Sequence, residues 1–220
     1  MRKNKQQYAG HAHYIPYLVF AVLTYIPSLL PKLPPWDAAP FLIYAVKTVL
    51  VGWILWRFRK HYTELSFKYH WSAPLAGLLV IVVWVGLNRY YPHLGHGWSN
   101  PTSISDDWLR HLAVFFRLLG AVVVVPVMEE LFFRSWLARW VMNPAFSAVK
   151  LGAFSWTSVL ITTGLFSVSH FQWLPAIFAG LVFHGYVIWK RRLGDAIVAH
   201  GVANLALGAY VLVNRDWEFW

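Results

Sequence analysis

The 220-residue chain has no cysteine and only nine acidic residues, and charged side chains make up 13% of it. An ordinary soluble domain carries about 25%. Without thiols there can be no disulfide, thiolate nucleophile, Cys-ligated zinc or iron–sulfur cluster, and redox logic says nothing about compartment. The chain also lacks an HExxH pair, a GxSxG elbow, a Walker loop and a Rossmann fingerprint. The usual signals of zincin, serine-hydrolase and nucleotide chemistry are therefore missing. There is no internal repeat and no low-complexity tract.

What is present is apolar: 58% of residues are hydrophobic and 18% aromatic, and mean hydropathy is +0.47. Too little polar surface remains to coat a water-soluble core. Apolar runs cover residues 14–30, 41–56, 74–87, 112–128, 151–169, 174–189 and 196–213. The fourth continues through ELFFRSWLARW as one long helix adjusted near Pro126. A spanning helix needs about 20 such residues, so the pattern predicts an all-α, polytopic transmembrane bundle of about seven spans. The first run follows the basic start MRKNKQQ. It has no small-residue cleavage site after it and reads as a retained span ending at Pro31, Pro34 and Pro35.

The longest polar stretch, residues 88–108, divides a three-span section with its polar loop (1–109) from a denser four-span section (110–220). Tryptophans at run ends (Trp36, Trp56, Trp71, Trp108, Trp173, Trp189, Trp217) suit an interfacial belt. Net charge is +10. The bases cluster at Arg2, Lys3 and Lys5, at Arg57, Arg59, Lys60 and Lys68, at Arg134, Arg139 and Lys150, and at Lys190, Arg191 and Arg192. With seven spans all four clusters fall on one side, which predicts a cytoplasmic N-terminus and contact with anionic lipid rather than nucleic acid. The expected location is the bacterial cytoplasmic (inner) membrane.

Of the nine acids, only Glu129 and Glu130 have strongly apolar sequence on both sides, in VVVVPVMEELFF. Acidic side chains are costly in hydrocarbon, so both need partners or a wet cavity. Glu130 and Arg134 share a helix face and can pair, while Glu129 points about 100° away. The structural alternative makes both part of a cytoplasmic helix end with Arg134 and Arg139. Three histidines lie in the apolar C-terminal section. His170 ends GLFSVSH one turn after Phe166, and His200 begins HGVAN one turn before Asn204. His184 has no comparable companion and reads as structural. A carboxylate, two imidazoles and an amide on separate apolar segments can activate a water and stabilise an oxyanion. The same atoms can also ligate Zn²⁺.

EELFFR (residues 129–134), FSVSH (166–170) and HGVAN (200–204) resemble the EExxxR, FxxxH and HxxxN motifs of the CPBP family. This is the Abi/CAAX-protease group of intramembrane endopeptidases, which includes the type II CAAX prenyl proteases. The resemblance covers residues 110–213; the first three spans carry no motif. It implies that Glu129 and His170 activate the attacking water and that His200 and Asn204 form the oxyanion hole. Glu130 and Arg134 would fix the site and Phe166 would line it. The family has been described as metal-dependent, which would make Glu129, His170 and His200 ligands of a divalent ion such as zinc; a metal-free glutamate mechanism is also proposed. The lack of HExxH and Cys favours the metal-free form. Implied substrates are prenylated CaaX-like proteins or other membrane-anchored or lipidated peptides. Compact length and high Trp content also resemble exosortase-associated bacterial members acting on C-terminal sorting signals.

One expectation conflicts with the rest. Positive-inside orientation puts Glu129 and His200 near cytoplasmic ends, whereas His170 closes the fifth run, and an 18-residue span is about 27 Å long. A shared site requires the fifth and sixth spans to be short, tilted or broken near Pro175. Two rival functions use the same residues: a non-catalytic scaffold or immunity protein on this fold, and a small transporter with an intramembrane ion path. The absence of inverted repeats weighs against the transporter.

Overall fold

A computed structural model describes residues 2–26, 39–94 and 100–219 of the chain. Pro31, Lys32, Pro34, Pro35, Trp36, Asp37 and His96 lie outside these residues, as do the side chains of Arg2, Lys3 and Lys5. Among the described residues there are seven principal helices and no strand. They are α1 (Arg2–Tyr25), α2 (Ala39–Phe58), α3 (Ser72–Leu87), α4 (Asp107–Met142), α5 (Trp156–Val168), α6 (Trp173–Lys190) and α7 (Leu193–Asn214). Each corresponds to one apolar run. By length and composition, α2 with its short extension to His61, α4, α6 and α7 can cross a membrane, while α3 and α5 are apolar but shorter.

The bundle wears its apolar residues outside. Leu42, Val46 and Trp53 of α2, Val82 of α3, Leu160 of α5 and Val213 of α7 are all exposed, whereas Lys47, Glu129, Glu130, Arg134, Arg139, Asp195 and His200 are buried. That distribution suits lipid rather than water as the surrounding solvent, because a soluble fold seldom buries so many unlike charges. Trp56, Trp71, Trp108 and Trp189 stand exposed at helix ends, where amphipathic rings sit at a membrane–water boundary.

Two details position the site. The fifth run was expected over residues 151–169, but α5 starts at Trp156 and has 13 residues. Gly152 takes φ +72° in the preceding turn, where a Cβ would meet the Val187 carbonyl. Ser155 then caps the helix by accepting from the Ser158 N–H, as N-cap serines do. At 1.5 Å per residue α5 is only about 20 Å long. His170, in the turn beyond it, is therefore not displaced by a full bilayer.

The second detail lies in α4. As expected it is one long helix adjusted near Pro126, and the adjustment is a widened, π-helical turn over Gly120–Val124. There the Val125 N–H bonds back to the Gly120 carbonyl. In this wider register the Ala121 carbonyl needs a donor from residue 126, and proline has none. A second π-helical segment, Glu130–Leu137, follows. Such segments recur at functional positions.

Packing joins the two halves of the chain: α3 lies along α7 and also contacts α6, while α2 contacts the first half of α4. The basic cluster assigned to the end of the fourth span needs correction. Arg134 and Arg139 are buried within α4 and engaged by Glu130 and Glu64 respectively. As paired groups they carry no weight as loop charges.

Candidate active site

The start of the second π-helical segment places two adjacent carboxylates in different surroundings. Glu130 is fully buried and pairs with Arg134 Nη1 at 3.2 Å. His200 Nδ1 lies 3.0 Å from the same Glu130 oxygen. Behind this group the Arg134 guanidinium sits 4.3 Å over the Phe166 ring, and the His200 ring stacks on Phe183 at 4.8 Å. Packing on that scale locks both side chains in place. Glu129 turns instead into a cavity of about 250 Å³.

Glu129, Phe166, His170, His200 and Asn204 all line that one cavity. The anticipated separation of His170 from Glu129 is thus resolved in favour of a short fifth helix. His170 Nδ1–H donates to the Phe166 carbonyl at 2.7 Å. This leaves Nε2 as the ring's lone-pair nitrogen. His200 Nε2 faces Glu129 Oε2 at 3.9 Å. Asn204 donates one amide N–H to Ala121 O at 2.7 Å, meeting the carbonyl that Pro126 leaves without an intrahelical donor. The other N–H of this amide is available by inventory. Gly201, one position beyond His200, keeps α7 close to α4 at this break: a Cβ there would lie 3.0 Å from the Val122 carbonyl.

Glu129 Oε2 and Glu130 Oε2 are buried without a hydrogen-bond partner. An orphaned carboxylate oxygen beside a cavity is where a water or a substrate group gains most, since leaving it unmet is costly. The expected Glu130–Arg134 pair is present. His184 sits apart from the cavity, bonded to Thr162 Oγ1 at 3.0 Å. Among the described residues no group of three or more His, Asp or Glu side chains is placed to hold an ion. Glu129, His170 and His200 form no such group in this arrangement.

The cavity also has members that reading the motifs missed. Lys47 and Arg117 line it, with Tyr44 and Thr24 beside them. Each interrupts an apolar run, and a basic residue inside a span is itself a marker of function; neither belongs to a motif.

Fold and site together define a helical, membrane-type bundle with a polar centre among apolar helices. Residues 111–206 match a family model described as Rce1-like, the type II CAAX prenyl endopeptidases. All seven motif residues fall in this stretch, so the resemblance carried by the three motifs holds for this part of the chain. The chain is also similar to the UPF0177 protein YbdI of Lactococcus lactis subsp. lactis (strain IL1403), with 23% identity over 158 residues, covering 66% of this chain and 78% of that protein. No solved structure matches it.

Proposed function

We propose that the protein is an intramembrane endopeptidase that hydrolyses a peptide bond of a membrane-anchored or lipidated substrate. The observation that carries this reading is the convergence of Glu129, His170, His200 and Asn204 on one cavity. A water held between Glu129 and His170 Nε2 loses a proton as it attacks the scissile carbonyl. The second Asn204 N–H and, in the imidazolium form of His200, its Nε2–H donate to the oxyanion. The proton taken by the carboxylate or imidazole then passes to the leaving amine. Glu130 and Arg134 act through His200, holding its ring at the angle that aims Nε2 into the cavity. No divalent ion is needed in this scheme.

Aromatic lining from Phe20, Trp84, Phe171 and Phe183 suits prenylated CaaX-like chains and apolar C-terminal sorting signals alike. The orientation that accompanies the reading is N-terminus inside, in a bacterial cytoplasmic membrane. The test is cleavage of a lipidated peptide by purified protein in proteoliposomes. Glu129→Gln is expected to abolish cleavage while the protein still folds; undiminished cleavage by that variant would overturn the reading. Complete, Zn²⁺-reversible loss on chelation would replace the metal-free scheme. A scaffold or immunity role predicts that biological function survives Glu129→Ala, and a transporter predicts solute flux without cleavage.

A further inference from the structure

Glu129 is not alone in lining the cavity with an unmet polar group. Among the described residues, two cavity-lining side chains carry a buried polar atom without a hydrogen-bond partner: Glu129 at Oε2 and Trp84 at Nε1. The hydrolysis proposed above uses the first and leaves the second idle. Trp84 comes from α3, in the half of the chain without a motif. Its ring packs against the core and meets the His170 ring edge-on, with centroids 5.6 Å apart at 74°. The packing of α3 on α7 fixes its level. A Cβ on Gly194, at the start of α7, would strike the Ser66 and Lys68 carbonyls just before α3, and one on Gly77 would meet Ala199 O and Ala203 N. The two helices therefore run in the same direction. Trp84 lies seven residues beyond Gly77, so it stands about four residues past Asn204 along that direction, an axial offset of roughly 6 Å. Side chains lean towards the N-terminus in both helices, which keeps the offset.

The geometry points to Trp84 as a substrate-binding residue whose indole N–H takes a backbone carbonyl of the bound peptide, roughly two residues from the scissile one; the assignment rests on the peptidase reading above. An indole nitrogen is a neutral donor and never an acceptor. It can therefore act neither as a base nor as a metal ligand, and its partner must bring an acceptor oxygen. A peptide drawn in among apolar walls loses water from its carbonyls, and each one left unmet is costly. In the proposed scheme Asn204 and His200 meet the scissile carbonyl and no other. Residues of an extended peptide advance about 3.4 Å each and successive carbonyls point to opposite sides, so the second carbonyl from the scissile one faces the same way about 7 Å along. That spacing matches the offset between Asn204 and Trp84. The bond also accounts for the indole's unmet state without substrate, since a buried donor that nothing satisfies has a cost that ligand binding recovers. Such a contact reads backbone rather than side chain, and it sets the register of a peptide without restricting its sequence.

The probe is an acylated octapeptide with an apolar C-terminal half, with a series of analogues in which one backbone amide at a time becomes an ester, whose carbonyl is a weaker acceptor. N-methyl analogues, which lose the N–H and keep the carbonyl, serve as controls. Binding is measured on the Glu129→Gln protein in phosphatidylcholine nanodiscs, where hydrolysis does not intervene. One ester is expected to bind about three- to tenfold more weakly than the parent, the scale of one neutral hydrogen bond, while its N-methyl control does not share that loss. With Trp84→Phe added, which keeps a ring and deletes the N–H, the parent should weaken by a similar factor and that ester should lose nothing further. In protein carrying ¹⁵N-tryptophan, the indole resonance missing from Trp84→Phe should move downfield when the parent peptide binds. In the otherwise wild-type enzyme, Trp84→Phe should raise KM more than it lowers kcat. A flat ester scan on the Trp84 protein overturns the assignment without any variant, as does an indole resonance that stays in place when the peptide binds. A fall in kcat alone, with binding intact, puts the N–H on the oxyanion or the attacking water and overturns it too. A wild-type protein that shows the ester pattern but cleaves nothing keeps the contact and removes the peptidase reading; cleavage with a flat scan does the opposite.

Discussion

Two clusters in this molecule are built from the same side-chain types and end in opposite states. Glu129, Glu130, Arg134 and His200 form one of them, of which Glu129 and His200 line the cavity, and two of its carboxylate oxygens have no hydrogen-bond donor. Glu64, His13, Ser135 and Arg139 tie the α2–α3 connection to α1 and α4. There Glu64 Oε1 receives His13 Nε2 at 2.8 Å, Arg139 Nη2 at 2.8 Å and the Ser135 hydroxyl. One cluster is closed and the other is incomplete. A closed network holds helices together, whereas an incomplete one beside an open volume keeps binding capacity in reserve for a ligand.

Four measurements would break or sharpen that contrast. Glu129→Gln removes the proton acceptor and should lower peptide cleavage by about 10²–10⁴-fold, with thermal stability in detergent little changed; a large loss of stability instead would make the first cluster structural as well. Asn204→Ala should lower kcat by about 10²–10³-fold with a modest fall in Tm, because it also strips the donor from Ala121. Glu64→Ala should do the reverse. It leaves the Arg139 guanidinium buried without its carboxylate, at a cost of about 3–5 kcal/mol, while activity per folded molecule persists. Chemical or thermal unfolding read beside turnover separates the two outcomes.

The smallest effect is a pH slope. Burial raises the Glu64 pKa, but the hydrogen bond and charge of His13, the Ser135 hydroxyl and the Arg139 charge outweigh it and hold it at about 2, below the ordinary 4.5. A carboxylate depressed in the folded state contributes stability above its unfolded pKa and loses it as pH falls. Stability should therefore decline between about pH 4.5 and 2, by up to about 3 kcal/mol. Glu64→Gln should flatten the slope over that range, and an unchanged slope would assign the acid sensitivity to other groups.

Hydropathy made the helices legible, because each helix must present an apolar surface to its surroundings and each apolar run therefore marks one. It mistook residues 151–155 for helix, since LGAF is apolar even though Gly152 and Ser155 form a turn and a cap. That error produced the conflict over His170. Six of the seven motif residues, all but Phe166, were legible because polar groups stand out in apolar sequence, and the helix offset between Glu129 and Glu130 foretold their different surroundings. The second cluster was not. Glu64 and Asp195 sit in or beside loops in sequence yet are largely buried, Asp195 by accepting from the His70 N–H and from Arg192. Lys47 and Arg117 stood out equally well, but nothing local says that α2 and α4 bring them to one cavity. That depends on tertiary packing.

The widened turn before Pro126 gives Asn204 two employers. Its amide mends a flaw in a neighbouring helix and, in the proposed chemistry, steadies a fleeting negative charge; one N–H is committed to each. Replacing Pro126 with alanine would return a competitor for Ala121 and set the amide loose, so a lesion in α4 that looks like a defect is what keeps a tool on α7 pointed at its work. Adding Pro126→Ala should accordingly recover stability lost in Asn204→Ala, by restoring a donor for the Ala121 carbonyl, while the loss of activity stays.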